Sequence, residues 1–319
     1  MRDDEARGGM SFDESRAVVV FPGQSSSDAG MRQLLEQWRP RLLEVLSSVA
    51  GHDDPFSCTD TSIATAQAVT VACGLAYWYA QGRPTPRYMI GHSLGELTAL
   101  AAAGSISEED SVRLAAVRGE LMQRACDATG GCAVMEVRAP IFDIEAIAEE
   151  CGISVAFHDG PRQVVVGGTR DGLERARAEF ADVGIACDDV HASVGFNSPL
   201  MDSAVDPFRA ELERCEVQPP QSIVYSAATC RPLIDVRAEL AHNLVRPVRW
   251  WETLARLAVQ GVENFIEIPL GGLLSPLPAG LAKQQAHDPR VDALWGDAAC
   301  ADEAAFAYFD DENRLHVLV

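Results

Sequence analysis

The sequence has few of the features that mark membrane or nucleic-acid-binding proteins. No apolar run reaches the roughly 18 residues of a transmembrane helix, so we expect no membrane span. Lysine is almost absent: Lys283 is the only one, and 26 basic residues face 47 acidic ones, giving a formal net charge of −21. This charge argues against binding to nucleic acid or to an anionic membrane surface, because both attract clustered cations. An acidic partner would need a local arginine patch.

The nine cysteines form no C-x-x-C pair and no cluster with histidine, so the sequence predicts no metal site. Their odd number and scatter along 319 residues favour reduced, mostly buried thiols in a cytoplasmic protein. The N-terminus is polar and acidic and has no apolar centre of the kind found in a signal peptide. We interpret residues 1–16 as a disordered leader.

Apolar strands and amphipathic helices alternate along the rest of the chain. The run AVVVF at 17–21 predicts a buried parallel strand, and helical spacing covers 31–50. A helix with small and apolar residues on most faces is predicted at 62–80, and another helix at 107–125. Beyond the middle of the chain we predict helix, strand, helix, helix and strand, at 199–214, 222–228, 236–245, 250–260 and 264–270. The pattern predicts an α/β fold with a parallel sheet flanked by helices.

Residues 131–193 show a different order, β-α-β-β-α-β, which is that of a ferredoxin-like unit. We therefore expect a small inserted subdomain at 131–193. The surrounding α/β body would comprise 17–130 and 194–298. The chain would end in an acidic C-terminal tail at 299–319.

The clearest chemical motif is GHSLG at residues 91–95. It follows an apolar strand and opens a helix, the setting in which G-x-S-x-G forms a nucleophile elbow. The turn is sharp, so its flanking positions need glycine. The backbone N–H of Leu94 follows the serine at the helix N-terminus and is a natural oxyanion donor. Ser93 is therefore the candidate nucleophile, and the loop Phe21-Pro22-Gly23-Gln24 after the first strand is placed to supply a second donor.

The combination of motifs resembles the malonyl-CoA:acyl-carrier-protein transacylase family, including the acyltransferase domains of polyketide synthases. The matching segments run in family order from about residue 17 to about 285, and they are FPGQ (21–24), Gln67, GHSLGE (91–96), RGELMQ (118–123), SPLM (198–201) and PVRW (247–250). The resemblance implies a hydrolase-like α/β body with an inserted ferredoxin-like subdomain, which agrees with the pattern of strands and helices.

The resemblance also implies roles for single residues. Ser93 would carry an acyl group, and the N–H groups of Gln24 and Leu94 would form the oxyanion hole. Arg118 would clamp the free carboxylate of the substrate, a task that suits a planar guanidinium. Gln67, His92 and Phe196 would contribute to substrate binding. No permanently bound cofactor is implied: the donor would be an acyl-CoA or acyl-carrier thioester, and the acceptor the phosphopantetheine thiol of an acyl carrier protein.

One departure from the family concerns proton transfer. Alignment on SPLM places Asn197 where the family has its catalytic histidine. An amide hydrogen-bonds but has no usable basicity near neutral pH. Loss of a general base typically costs about 10²–10⁴ in rate. Two explanations fit: a natural variant with slow turnover, or an introduced change that would trap the acyl-enzyme. Among the other histidines, His191 is the first candidate for a substitute base, ahead of His158 and His242.

Further departures concern the substrate. Ser25 and Ser27 replace the usual Gly and Gln, and Pro269-Leu270-Gly271 replaces Gly-Pro-Gly. Gly195-Phe196 matches neither pattern by which malonyl- and methylmalonyl-selective members are usually distinguished. The sequence therefore predicts an acyltransferase of polyketide or fatty-acid biosynthesis without fixing its acyl group. A thioester hydrolase in which Asn197 orients water, and a non-catalytic protein that docks carrier proteins, are the alternatives.

Overall fold

The computed structural model describes residues 14–24, 29–190 and 197–268, together with the backbone alone of 306–309 and 315–318. Its strands are β1 (Ala17–Phe21), β2 (Tyr88–Gly91), β3 (Cys132–Val137), β4 (Ser154–Gly160), β5 (Gln163–Thr169), β6 (Cys187–Asp189), β7 (Ile223–Ser226), β8 (Arg231–Pro232), β9 (Asn264–Glu267), β10 (Phe306–Phe309) and β11 (Leu315–Leu318). Its α-helices are α1 (Ala29–Trp38), α2 (Pro40–Ala50), α3 (Ile63–Ala80), α4 (Gly95–Ala102), α5 (Glu108–Ala128), α6 (Ile141–Cys151), α7 (Arg170–Asp182), α8 (Asp202–Glu213), α9 (Val236–His242) and α10 (Trp250–Val259).

Five short strands form the sheet of the larger body, in the order β8-β7-β2-β1-β9. They are parallel except for β8, which is antiparallel to β7 at the edge. Val19 of β1 lies in register with Met89 of β2 on one side and with Ile266 of β9 on the other. All five residues of β1 are buried, which explains its continuous apolar run. The predicted α/β fold with a parallel sheet is confirmed.

The helix ends follow from capping residues. Ser62 caps α3 by accepting a hydrogen bond from the Thr65 N–H, and Ser107 caps α5 by accepting one from the Asp110 N–H. The acidic residues after Ser107 occupy the first turn of α5, as its dipole favours. The helical spacing over 31–50 belongs to two helices rather than one. Pro40 lacks an N–H and Arg39 has a non-helical φ of −141°, so the chain turns between α1 and α2.

The small subdomain contains an antiparallel sheet in the order β4-β5-β3-β6, with α6 and α7 between its strands along the chain. This is the predicted ferredoxin-like order. Its buried side chains, among them Val137, Ile144 and Phe180, form a hydrophobic cluster separate from those of the body. Strand β6 is short, with three residues, and ends at Asp189.

Strand β4 connects the small subdomain to the body. Phe157 forms a parallel bridge with Val248, just before α10. The His158 N–H donates to the Val248 carbonyl and the Val248 N–H donates to the Ala156 carbonyl, both at 2.8 Å. The small subdomain is therefore joined to the body by backbone pairing as well as by the covalent chain.

The cysteine prediction is wrong for one pair. Cys126 at the end of α5 and Cys132 at the start of β3 form a disulfide, with their Cα atoms 5.5 Å apart. The turn between them reverses the chain through Gly130 and Gly131, which both have positive φ. This reversal brings residues six apart in sequence within disulfide reach. Free thiols are carried by Cys58, Cys151, Cys187, Cys215 and Cys230.

No helix in the described part of the chain is long and apolar enough to cross a membrane. The predicted helix at 199–214 begins as a 3-10 turn, Pro199–Met201, and continues as α8. In the predicted C-terminal tail, the backbones of β10 and β11 pair as an antiparallel hairpin. Several sequence predictions lie outside the described residues: most of the leader, Ser25, Ser27, His191, Gly195-Phe196 and Pro269-Leu270-Gly271.

Candidate active site

The nucleophile elbow forms where the sequence predicts it. Strand β2 ends at Gly91, helix α4 begins at Gly95, and Ser93 between them has a φ of 51°. A Cβ atom on Gly91 would collide with the backbone of Gly95, and a Cβ atom on Gly95 would collide with the Phe21 carbonyl. Only glycine fits at either position. The left-handed serine is strained, and the turn holds it at the N-terminus of α4.

The loop after β1 packs directly on this elbow. The His92 N–H donates to the Phe21 carbonyl at 2.9 Å, and a Cβ atom on Gly23 would lie 3.0 Å from the His92 carbonyl oxygen. Gln24 follows on this loop. The N–H groups of Gln24 and Leu94 have no hydrogen-bond acceptor among the described residues. One donor follows the serine directly and the other lies on the loop that packs on the elbow, and two such N–H groups are the elements from which an oxyanion hole is made.

A buried arginine contacts the nucleophile from the other side. Arg118 Nη2 donates to Ser93 Oγ at 3.0 Å, and Arg118 Nη1 donates to Gln67 Oε1 at 2.9 Å. Gln67 is fully buried on α3 and Arg118 is 6% exposed on α5. The two helices approach closely at Gly119, where a Cβ atom would lie only 2.7 Å from Ala64 Cα. The glycine after Arg118 thus allows α5 to bring the arginine to Gln67.

Arg118 carries a charge that its protein neighbours do not neutralise. Burial lowers the pKa of its guanidinium to about 10, partly offset by the charge of Glu96. The group stays protonated at neutral pH. In the described ranges no carboxylate lies within ion-pair distance of Arg118, and its hydrogen-bond partners are the neutral side chains of Gln67 and Ser93. A buried, protonated guanidinium in this state favours an anionic ligand.

Asn197 faces Ser93 from the opposite side of the hydroxyl. Its Oδ1 accepts a hydrogen bond from Ser93 Oγ at 2.7 Å. Its Nδ2 donates to the carbonyls of Asn243 at 2.7 Å and Arg246 at 3.2 Å. Asn197 is 1% exposed and has a φ of 47°, a conformation that asparagine tolerates better than most residues. The amide is therefore held with its oxygen toward the serine.

Asn197 is linked through Asn243 to a buried carboxyl group, that of Glu96. Glu96 Oε1 accepts from the Ala227 N–H at 2.9 Å, and Glu96 Oε2 accepts from Asn243 Nδ2. Asn243 accepts from Asn197 with its backbone carbonyl and donates to Glu96 with its side-chain amide. Hydrogen bonds therefore link Ser93, Asn197, Asn243 and Glu96 in that order, through the backbone and side chain of Asn243. Burial raises the pKa of Glu96 to about 7, although its hydrogen bonds oppose that rise.

The histidines of the described ranges point away from the nucleophile. His92 Nε2 lies 2.8 Å from Asp159 Oδ1 on β4, and its ring packs against Phe157 and Trp250. His158 Nδ1 lies 3.0 Å from a carboxylate oxygen of Glu252. His242 contacts the Ala238 carbonyl and Arg209. None of these imidazoles hydrogen-bonds Ser93.

The chain is similar in sequence to proteins of one known family. The family model described as acyl transferase domain matches residues 18–277. The chain belongs to this family. The polyketide biosynthesis protein ThaF of Burkholderia thailandensis is 33% identical over 285 residues, which is 85% of this chain and 25% of that protein. The malonyl CoA-acyl carrier protein transacylase of Escherichia coli K12 is 31% identical, over 89% of this chain and 97% of the relative.

Solved structures of the family share the fold. A malonyl-CoA:acyl carrier protein transacylase from Xanthomonas oryzae has a TM-score of 0.76 and 30% identity, covering 86% of this chain and 93% of that one. A malonyl-transacylase in complex with a type II polyketide synthase acyl-carrier protein has a TM-score of 0.74 and 29% identity, covering 85% and 93%. The chain spans only a quarter of ThaF but nearly the whole of the single-domain transacylases.

Most of the predicted site residues lie together. One hydrogen-bonded group contains Gln67, Arg118, Ser93 and Asn197. Next to it lie Leu94, which follows the serine, and Gln24, on the loop that packs on the elbow. His92 turns toward Asp159 instead. Phe196 lies outside the described residues. The roles of these residues are proposals.

Three neighbours of the site, Glu96, Asn243 and Asp159, are not predicted from the sequence. Glu96 belongs to the GHSLGE motif, and a carboxyl group in an otherwise apolar helix was the available signal. Asn243 lies four residues before PVRW, and Asp159 is the last residue but one of β4 in the small subdomain. Neither has a signal in the sequence, because each meets the elbow only through the tertiary fold.

Proposed function

We propose that this protein is an acyltransferase that moves a carboxylated acyl group, malonyl or a close relative, through an ester on Ser93. The donor is a coenzyme A or carrier thioester and the acceptor is the phosphopantetheine thiol of an acyl carrier protein. The matched relatives are named for this reaction, for an acyl-carrier-protein complex and for polyketide biosynthesis. Both substrates belong to cytoplasmic biosynthesis, and the scheme needs no resident cofactor.

The observation that carries the proposal is the state of Arg118. A buried guanidinium held against the nucleophile, with neutral protein partners, is costly unless a ligand supplies the opposite charge. A carboxylate at the far end of a short acyl group would reach it while the thioester carbon lies at Ser93 Oγ. Bidentate pairing with a planar guanidinium would orient the carbonyl for attack. Gln67 would hold the other edge of the guanidinium in place.

Acylation then follows from the geometry of the elbow. Ser93 Oγ attacks the thioester carbon, and the N–H groups of Leu94 and Gln24 stabilise the negative oxygen. The carbon–sulfur bond breaks, the thiolate leaves with the electron pair, and the proton of the Ser93 hydroxyl passes to solvent. Asn197 accepts the hydrogen bond of the serine and so orients its oxygen, but it does not remove the proton. Transfer reverses these steps with a carrier thiol as the nucleophile.

The test is covalent loading followed by transfer. We expect intact-mass measurement after incubation with malonyl-CoA to show one malonyl adduct, mapped to Ser93, and no adduct on Ser93→Ala. Addition of a holo acyl carrier protein should move the adduct to the carrier. Loss of the adduct to water at an unchanged rate with carrier present would instead identify a hydrolase. No adduct from malonyl-, methylmalonyl- or acetyl-CoA, on this chain or on Asn197→His, would support the carrier-docking alternative.

A further inference from the structure

The orientation of Asn197 fixes what it offers to a reaction at Ser93. Its two amide hydrogens are both committed, one to the Asn243 carbonyl and one to the Arg246 carbonyl. A flipped amide would set its oxygen against those two carbonyl oxygens, so the side chain has one favourable orientation. Its oxygen consequently faces Ser93. This oxygen accepts a hydrogen bond but does not take a proton near neutral pH.

Among the titratable side chains of the described residues, only Arg118 hydrogen-bonds Ser93 Oγ. Arg118 is a protonated donor and therefore not a base. Glu96, the nearest carboxyl group in the hydrogen-bonded chain, is separated from Ser93 by both asparagines. Within the described residues, the site binds and orients a nucleophile without a group that removes its proton.

From this geometry we propose that Asn197 makes the acyl-enzyme selective for an acceptor that ionises without help, a thiol, over water. The inference rests on the proposed acyl-Ser93 intermediate and concerns how that intermediate is consumed. It assigns the control of transfer against hydrolysis to position 197, through the lack of a base there. It also gives the opposite expectation to the hydrolase alternative, in which the same asparagine promotes attack by water.

The selectivity follows from counting protons. In transfer, a thiolate sulfur attacks the ester carbon, a carbon–sulfur bond forms, and the carbon–Oγ bond breaks. Oγ leaves with the electron pair and takes one proton from solvent, which restores the Ser93 hydroxyl. In hydrolysis the attacking water must in addition lose a proton. Without an acid–base group, transfer to a thiolate has one unassisted proton transfer, the protonation of Oγ. Hydrolysis has two, the protonation of Oγ and the deprotonation of water.

The intrinsic acidities make the difference large. A thiol has a pKa of about 8.5, so a few per cent is already thiolate at pH 7. Water has a pKa of about 15.7 and needs a base. General acid–base assistance is worth about 10²–10⁴ in rate for each proton transfer. We therefore expect asparagine to slow hydrolysis about 10²-fold more than it slows transfer.

The experiment follows a preloaded acyl-enzyme. Ser93 is charged with radiolabelled malonyl-CoA, desalted, and divided between buffer and buffer containing pantetheine, from pH 6 to pH 9. The native chain should show a ratio of transfer to hydrolysis about 10²-fold above that of Asn197→His. Its transfer rate should rise about tenfold per pH unit until the thiol is ionised. Transfer by Asn197→His should level off above the imidazole pKa of about 6.5, because the imidazole then deprotonates the thiol itself.

Two further variants keep the proposal open to refutation. Asn197→Ala also lacks a base, so its ratio should stay within a few-fold of the native ratio even if the variant is less stable. His191→Ala should leave both rates unchanged. The proposal is overturned if Asn197→His has the same ratio as the native chain, or if His191→Ala slows both reactions, since His191 would then be the base. Absence of loading on every variant would instead refute the proposed function.

Discussion

The two sides of the Ser93 hydroxyl differ in charge. On one side, α3 and α5 bring a buried, protonated arginine to the oxygen at 3.0 Å. On the other side, where the resemblance places a histidine, a neutral amide accepts the serine hydrogen at 2.7 Å. Under the proposed function, the first side would recognise a carboxylated acyl group, while the second offers no base among the described residues. Recognition and proton transfer would then depend on separate residues.

The largest expected effect is that of removing the Ser93 hydroxyl, and it should far exceed that of removing the Asn197 amide. Ser93→Ala should abolish adduct formation, a loss of about 10⁶ for a group that acts as a unit with its neighbours. Asn197→Ala should load within about tenfold of the native rate, because the lost amide oriented the serine without acting as a base. Intact-mass time courses with malonyl-CoA measure both. An Asn197→Ala protein that is folded by circular dichroism yet fails to load would contradict this separation.

The next prediction concerns the charged side. Arg118→Gln removes the charge and the bidentate geometry, and hydrogen bonds to charged groups contribute about 1.5–3 kcal/mol each. Loading from malonyl-CoA should fall about 10²-fold in kcat/KM, while loading from acetyl-CoA should change only a few-fold. Arg124→Gln is the matched control, an exposed arginine on the same helix paired with Glu120. Equal losses for the two donors would show that Arg118 is structural.

A smaller effect concerns the contribution to stability of Glu96, the buried carboxyl group linked to Asn197 through Asn243. Burial raises the pKa of Glu96 from its ordinary 4.5 to about 7. The folded protein then holds a proton that the unfolded chain has lost, so stability falls as pH rises from about 4.5 to 7 and the loss is complete above that. At about 1.4 kcal/mol per unit, the contribution is about 3 kcal/mol.

Glu96→Gln removes this titration. The variant's free energy of unfolding minus that of the native chain should be larger, meaning a relatively more stable variant, at pH 8 than at pH 4.5 by up to about 3 kcal/mol. Urea denaturation at both values measures the difference, which is informative even if the lost hydrogen-bond acceptor destabilises the variant at every pH. A pH-independent difference would mean that Glu96 stays ionised in the folded protein.

The smallest effect tests the link between the small subdomain and the elbow. Asp159→Asn keeps a polar partner for His92 but removes the charge, so we expect loading to slow by less than tenfold with most of the change in kcat. Asp171→Asn, an exposed aspartate on α7 of the same subdomain, is the control. Steady-state kinetics with malonyl-CoA distinguishes the two variants. A loss as large as that of Arg118→Gln would move His92 into the catalytic group.

Local sequence determined much of this protein. The run AVVVF specifies a buried strand, the glycines at 91 and 95 specify the elbow, and Ser62 and Ser107 specify helix starts. These features depend on residues that are neighbours in the chain, so their physical causes are visible in the sequence. The same holds for the ferredoxin-like order, which follows from the succession of periodicities. Pro40, which divides one predicted helix into two, was also a local signal.

Tertiary structure decided the contacts between distant segments. Arg118 and Gln67 are 51 residues apart, and Ser93 and Asn197 are 104 apart. Glu96, Asn243 and Asp159 join the site only because strands and helices pack there. Hydrogen bonding and burial set the charge state of such groups, and both depend on three-dimensional neighbours rather than on residue type. The sequence alone therefore identified the candidate nucleophile and the asparagine at the expected histidine position, while the fold decided that the asparagine presents an oxygen without basicity to the serine.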